Sequence, residues 1–199
     1  MMLVEETTVP QAALPVEEFK AHLRLGSGFT GASVQDAVLE SFLRAALAAI
    51  EARTGKVLIS RDFSYEVTLW RETEAQGLPV APVSAVSTME IRDAGGVPEV
   101  VDPGDYRLVQ DAQTPVVRAT GSRLPVIPTG GAAVIGFAAG YGPDWAAIPA
   151  DLAQAVMLLA AHYYEYRNET ALGQGCMPFG VTSLIERYRV MRIGMGART

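Results

Sequence analysis

The chain has 199 residues, 49% apolar and 19% charged, with mean hydropathy +0.19, a formal net charge of −6 and a pI of about 5.0. That length supports one core, or one core with a satellite layer, in a single domain with extensions, and the composition excludes a mainly disordered chain. The acidity leaves no global basic field of the kind that drives sequence-independent DNA binding.

After a short polar arm, Met1 to Ala13, Pro15 stands where a first helical turn tolerates proline, and Val16, Phe19 and Leu23 repeat at helical spacing. Glycines at 26, 28 and 31 end this first helix. Ser33 with Asp36 then reads as a capping-box variant, and an apolar stripe through Val34, Val38, Phe42, Ala45 and Ile50 predicts a longer second helix that stops at Gly55. From Lys56 the period becomes two: Val57, Ile59, Phe63, Tyr65, Val67 and Leu69 alternate with polar residues, as in strands with one wet face.

Leu78 to Val83, with two prolines, reads as an edge or crossover segment. Val86 to Ile91, Asp93-Ala-Gly-Gly96 and Glu99 to Val101 predict a hairpin, and Asp102-Pro-Gly-Asp105 a turn. Strands follow at Tyr106 to Leu108, 115–118 and 132–137, for roughly six in all, mostly antiparallel because no helix separates them. Leu152, Val156, Leu159, Ala160 and Tyr163 share a face of a third helix that starts at Pro149 and is expected to pack on the second. A loop over 173–180 precedes a short last helix from Val181 to Tyr188, and 189–199 has no periodic face. The order predicts an α+β fold: helices packed on one side of a small, mostly antiparallel β-layer, with an extended C-terminal arm. The expected division is one domain over 1–188 (helical pair 14–55, β-layer 56–137, C-terminal helices 148–188) and a flexible arm over 189–199.

Catalytic and cofactor signals are weak. Gly55-Lys56 lacks the glycine, hydroxyl and strand-to-helix context of a phosphate-binding loop and reads as a helix C-cap, and the glycines from 130 to 142 fail the dinucleotide spacing. His162 and Glu165 have a spacing that metal sites use, but His22 is the only other histidine and no second pair exists, so neither metal nor cofactor is expected. Cys176 is the sole cysteine, which rules out an internal disulfide; with no signal-peptide pattern at the start, the chain is expected to be made in the cytoplasm. The apolar run 155–161 is far shorter than the roughly 20 residues of a membrane span, so a soluble chain is expected.

Contact signals are stronger. Tyr163-Tyr164-Glu165-Tyr166-Arg167 is rich in residues enriched at protein interfaces, and one helix cannot turn Tyr164, Tyr166 and Arg167 all inward. Arg187, Arg189, Arg192 and Arg198 concentrate positive charge at the end of an acidic chain, interleaved with Val190, Met191, Ile193 and Met195, which a merely solvated tail does not need. These eight residues are the expected docking arm.

Several segments, in order, carry a family likeness: Glu18-Phe19-Lys20 with Leu23, Thr54-Gly55, Ala139-Gly140-Tyr141-Gly142, Pro149 to Leu152, and Tyr164-Glu165-Tyr166-Arg167. The chain resembles, over nearly its whole length, the head-tail connector (adaptor) proteins of long-tailed phages and gene transfer agent particles. The resemblance implies a structural ring subunit, in about twelve copies, between the portal and a stopper or tail terminator, with DNA only passing through and no membrane. It implies that the arm binds the portal and that the subunit is built into the head-tail junction of a virion or phage-like particle. Contacts between neighbours are expected to use Arg24, Glu40, Arg44 and Glu51 of the two-helix layer with Tyr164, Tyr166 and Arg167. The competing readings are a small hydrolase or transferase with Cys176 as nucleophile and His162 as base, and a bacterial adaptor module unrelated to phage.

Overall fold

The structure, a computed structural model, describes residues 1–25, 34–167 and 177–189. Among the described residues four α-helices and eight strands follow one another in an α+β order. The helices are α1 (Val16–His22), α2 (Val34–Thr54), α3 (Ala150–Glu165) and α4 (Phe179–Ile185), the last continued by a 3-10 turn over Glu186–Tyr188. The strands are β1 (Met2–Glu5), β2 (Arg61–Val67), β3 (Ala75–Gly77), β4 (Val83–Arg92), β5 (Pro98–Val100), β6 (Tyr106–Val109), β7 (Val116–Ala119) and β8 (Ala132–Ala139).

On α2 the buried positions Leu39, Leu43, Ala46, Leu47 and Ile50 form the stripe that the periodicity predicts, and Gly55 ends the helix at φ +68, a conformation glycine adopts without a Cβ penalty. Leu152, Val156, Leu159 and Ala160 of α3 pack on that stripe, as expected, together with Phe19 of α1 and Val181 and Ile185 of α4. Each fully buried leucine or phenylalanine there contributes about 1.5–3 kcal/mol through removal from water. Ser33, and with it the expected capping box, lies outside the described residues; Asp36 holds Lys20 of α1 in a 2.7 Å ion pair.

All strand pairs are antiparallel and form two sheets, ordered β1-β2-β8-β4-β5 and β3-β7-β6. Phe63, Tyr65 and Val67 of β2 and Ala133, Ile135, Phe137 and Ala139 of β8 face inward and share a buried cluster with Tyr106, Val117 and Ala119 of the second sheet. The β-layer is therefore a two-sheet sandwich with its own core. The predicted β4–β5 hairpin is present, with Glu90 opposite Val100 and Arg92 opposite Pro98. Asp93 closes its turn by accepting from the Gly95 and Val97 N–H groups.

Four expectations need correction. The segment Met1 to Ala13 is more than a polar arm: β1 pairs with β2, and Val9, Ala13 and the following Leu14 are buried in the helical core. The strands among the described residues number eight and not roughly six, because the short edge strands β1 and β3 carry no alternation of their own and take their conformation from β2 and β7. The stretch after Gly55 is not a strand with one wet face, since Val57, Leu58 and Ile59 are all buried. Val57 joins the sheet core while Leu58 and Ile59 join the helical core, so this segment is the junction between the two. Leu69, expected inside the strand, lies past its end and is exposed.

Two side chains pin this junction. Lys56, buried, donates from Nζ to the Ala112 carbonyl and to Gln113 Oε1, holding the β6–β7 loop against the end of α2. Arg61 Nη2 meets Glu51 Oε2 at 2.6 Å and Nη1 meets Glu5 Oε1 at 3.1 Å, tying α2 and β1 to the start of β2. No described helix is long and apolar enough to cross a membrane.

Candidate interaction surfaces

The end of α3 is an aromatic platform. Tyr164 meets Phe42 of α2 edge to face, ring centres 6.0 Å apart at 89°, which turns it toward the helical core. Arg167 stacks over Tyr164 at 4.5 Å and its Nη1 donates to the Tyr164 carbonyl at 2.7 Å, satisfying a helix-terminal acceptor. Tyr166 lies against His162, ring centres 4.7 Å apart, and remains 41% exposed. The cluster thus divides as one helix requires: Tyr163 and Tyr164 pack on the core, and Tyr166 and Arg167 face out.

In the two-helix layer the expected contact residues fare differently. Arg24 is exposed, with φ +55 at the end of α1. Arg44 pairs with Glu40 at 2.8 Å and donates from Nη1 to the Val9 carbonyl at 2.9 Å, so part of its capacity is spent on the N-terminal segment. Glu51 was expected on the surface; its carboxylate is instead taken up by Arg61 and by the Leu58 N–H at 2.8 Å. What α2 does expose is a row of small or apolar residues, Val38, Ser41, Ala45, Ala48 and Ala52, spaced three and four apart along one face.

The basic C-terminal segment begins with a clamp. Tyr188 is buried and donates from Oη to Asp151 Oδ1 at 2.7 Å, and Arg187 donates to the same hydroxyl and pairs through Nε with Asp151 Oδ2 at 2.9 Å. Asp151 sits in the first turn of α3, where the helix dipole favours an anion. Burial first, then the nearby Tyr188 and Asp151, push the Tyr141 hydroxyl up to about 12. Arg189 pairs with Glu186 at 3.2 Å. Val190, Met191, Arg192, Ile193, Met195 and Arg198 lie outside the described residues. The clamp fixes the point from which they depart: the start of α3, some 20 Å from Tyr164 at its far end, given about 1.5 Å of rise per residue. Tyr188→Phe, which removes the bond to Asp151 and keeps the ring, is expected to cost about 1 kcal/mol in urea unfolding; an unchanged midpoint means the clamp is not stabilising.

For the catalytic alternative, His162 is half-buried in the last turn of α3, and Cys176 lies outside the described residues. Among the described residues no group of three His, Cys, Asp or Glu side chains could hold a metal ion.

No family model matches the chain, and no curated protein does. Solved structures do. A chain from the neck of an empty GTA particle computed with C6 symmetry is 53% identical, with a TM-score of 0.90 over 100% of both chains. A chain from the neck of a native GTA particle computed with C12 symmetry is 51% identical, with a TM-score of 0.85 over 100% of both chains. One from the virion of a native gene transfer agent particle is 53% identical, with a TM-score of 0.85 over 98% of this chain and 99% of that one.

The chain belongs to the head-tail connector family.

The expected resemblance therefore holds over the full length, and the connector's structural role in a particle neck follows from it. Sequence reasoning singled out the tyrosines and the terminal arginines and did not single out Lys56, Arg61, Asp151 and Tyr188. Their partners lie far along the chain, as with Lys56 and Gln113 or Asp151 and Tyr188. Only one signal was available: an acidic residue in the first turn after Pro149 marks Asp151 as a helix-start anion.

Proposed function

We propose that this connector forms a ring between the portal and the stopper or tail terminator of a phage or gene transfer particle, with DNA passing through its centre. The observation that carries the reading is identity of 51% over the whole of both chains to a neck component of a particle computed with C12 symmetry. Twelve copies fit that symmetry. A net charge of −6 suits a lumen through which DNA slides without sticking. Residues 1–188 act as one connector domain made in the bacterial cytoplasm, and the arm docks on the portal through Arg189, Val190, Met191, Arg192, Ile193, Met195 and Arg198. Arg187, held by Asp151, serves as its anchor. Around the ring, neighbours meet over the α2 face, whose small residues admit close approach, with Arg24, Glu40, Arg44, Tyr166 and Arg167 at its margins and Tyr164 beneath.

Deletion of all residues after Tyr188 tests this. The shortened subunit is expected to keep its far-ultraviolet circular dichroism and cooperative unfolding, yet to fall about tenfold or more in purified particles, because docking contacts repeated around a ring are lost together. Incorporation at the full-length level sinks the portal-docking role.

A further inference from the structure

The β-sandwich carries opposite charge on its two outer faces. On the three-stranded sheet, Arg107 of β6 and Arg118 of β7 stand directly opposite each other, and both are exposed. A like-charged pair in register is destabilising, and neither guanidinium forms an ion pair among the described residues. Their neighbours on that face are Ala75, in register with Arg118, and the pair Val109 and Val116. Asp105, in the flanking turn two residues before Arg107, makes no ion pair with either arginine.

On the outer face of the five-stranded sheet the alternation of β2 turns Asp62, Ser64 and Glu66 away from the core. Asp62 and Glu66 also form no ion pair among the described residues, and exposed Glu6 lies beside Asp62, to whose carbonyl its N–H donates at 2.8 Å. Opposite them β8 presents Ala138, Gly136 and Val134, the last of them buried, and the small hydroxyl side chains of Ser87 and Thr88 lie over Gly136. Its arginine, Arg92, is already paired with Glu90.

We infer that the sandwiches of adjacent copies stack face to face in the ring, the Arg107–Arg118 row of one copy against the Asp62–Glu66 row of the next. This inference rests on the ring reading above. A closed ring needs a heterologous contact, in which two different patches on opposite flanks of the subunit meet. The two outer faces of one sandwich are such patches, and they are complementary in charge. Each side supplies what the other leaves unneutralised: a repelling arginine pair without a carboxylate, and carboxylates without a cation. Identical faces do not satisfy this, since arginine meeting arginine or carboxylate meeting carboxylate adds repulsion, so the contact also fixes the polarity of the ring.

Three full-length variants, expressed in a producer strain lacking its own copy, test the contact: Arg107→Glu with Arg118→Glu, Asp62→Lys with Glu66→Lys, and all four changes together. Each double reversal is expected to lower incorporation into purified particles about tenfold, and the fourfold variant to recover most of it, because the charges are exchanged across the same contact. Arg107→Thr guards against a trivial folding defect. By relieving the like-charge pair it is expected to raise the thermal midpoint of the free subunit while lowering incorporation. Wild-type incorporation of both double variants, or failure of the fourfold variant to recover, overturns the contact and leaves the connector reading intact. Absence of the wild-type chain from particles overturns both. If the arginine variant assembles normally but its particles lose DNA, while the Asp62–Glu66 variant is unaffected, the arginines face nucleic acid and the inference is wrong.

Discussion

Gly140→Ala is expected to destabilise the connector by about 4 kcal/mol, one of the largest effects of any single substitution. The glycine sits at φ +138, which side-chain-bearing residues rarely adopt. A Cβ there meets backbone rather than a yielding side chain, at 2.4 Å from Ser60 Cα and 2.5 Å from Ser60 N. Relief requires moving either β8 or the junction segment, and both are tied: Gly140 N–H donates to the Pro82 carbonyl at 2.9 Å, and Ser60 N–H to the Gly142 carbonyl at 2.8 Å. Since Leu58 and Ile59 belong to the helical core and Phe137 and Ala139 to the sheet core, strain at this point loosens both. Urea unfolding measures the loss. Gly180→Ala in α4, where a new Cβ has nothing within 4 Å, is the control and is expected to be neutral or stabilising by about 0.5 kcal/mol. A Gly140→Ala loss below about 1 kcal/mol means that the close approach does not govern stability.

Arg61→Leu is expected to cost about 3 kcal/mol near neutral pH, because removing one partner of a buried pair leaves the other ionised and uncompensated. The side chains of Arg61 and Glu51 are 9% and 15% exposed, so solvent screens them little. Burial raises the Glu51 carboxyl above its ordinary value of 4.5, while the Arg61 charge, the Leu58 N–H and the Arg61 hydrogen bond pull it down. A carboxyl raised on folding holds its proton at a pH where the unfolded chain has lost it, so its contribution to stability falls as pH rises above 4.5 through the folded value. Without Arg61 two of the opposing influences vanish and the carboxyl rises further. The deficit of Arg61→Leu relative to wild type is therefore expected to be largest at about pH 7 and to shrink on acidification to about pH 5. Glu51→Gln added to Arg61→Leu is expected to recover part of the loss at neutral pH. A deficit that grows on acidification contradicts the assignment of Glu51 as the stranded charge.

Both predictions concern the junction between the cores, and so does the difference between what could be read from the chain and what could not. The buried stripes of α2 and α3, the Gly55 stop, the Asp93 and Asp102 turns and the inward alternation of β2 were legible because each is a local pattern. Periodicity, a capping residue or a turn carboxylate acts within a few positions, and the same residues do the same work in the fold. The family likeness was legible for a related reason: its segments are helix starts, helix ends and a glycine turn, which keep their spacing along the chain.

The sequence by itself therefore determined the α+β order, the helix faces, the hairpin and the aromatic end of α3. Tertiary structure alone decided which residues are surface and which are structure. Glu51, read as an exposed contact, became the buried partner of Arg61; Arg187 became part of a clamp with Asp151 and Tyr188; and Met2–Glu5 became an edge strand through β2. It also put the arginines of β6 and β7 on one outer face of the sandwich and the carboxylates of β2 on the other. The physical reason is that ion pairs and strand edges depend on partners brought together only when distant chain segments meet, as Arg61 meets Glu5 across 56 residues. No periodicity within a strand or helix encodes which distant charge will stand opposite it.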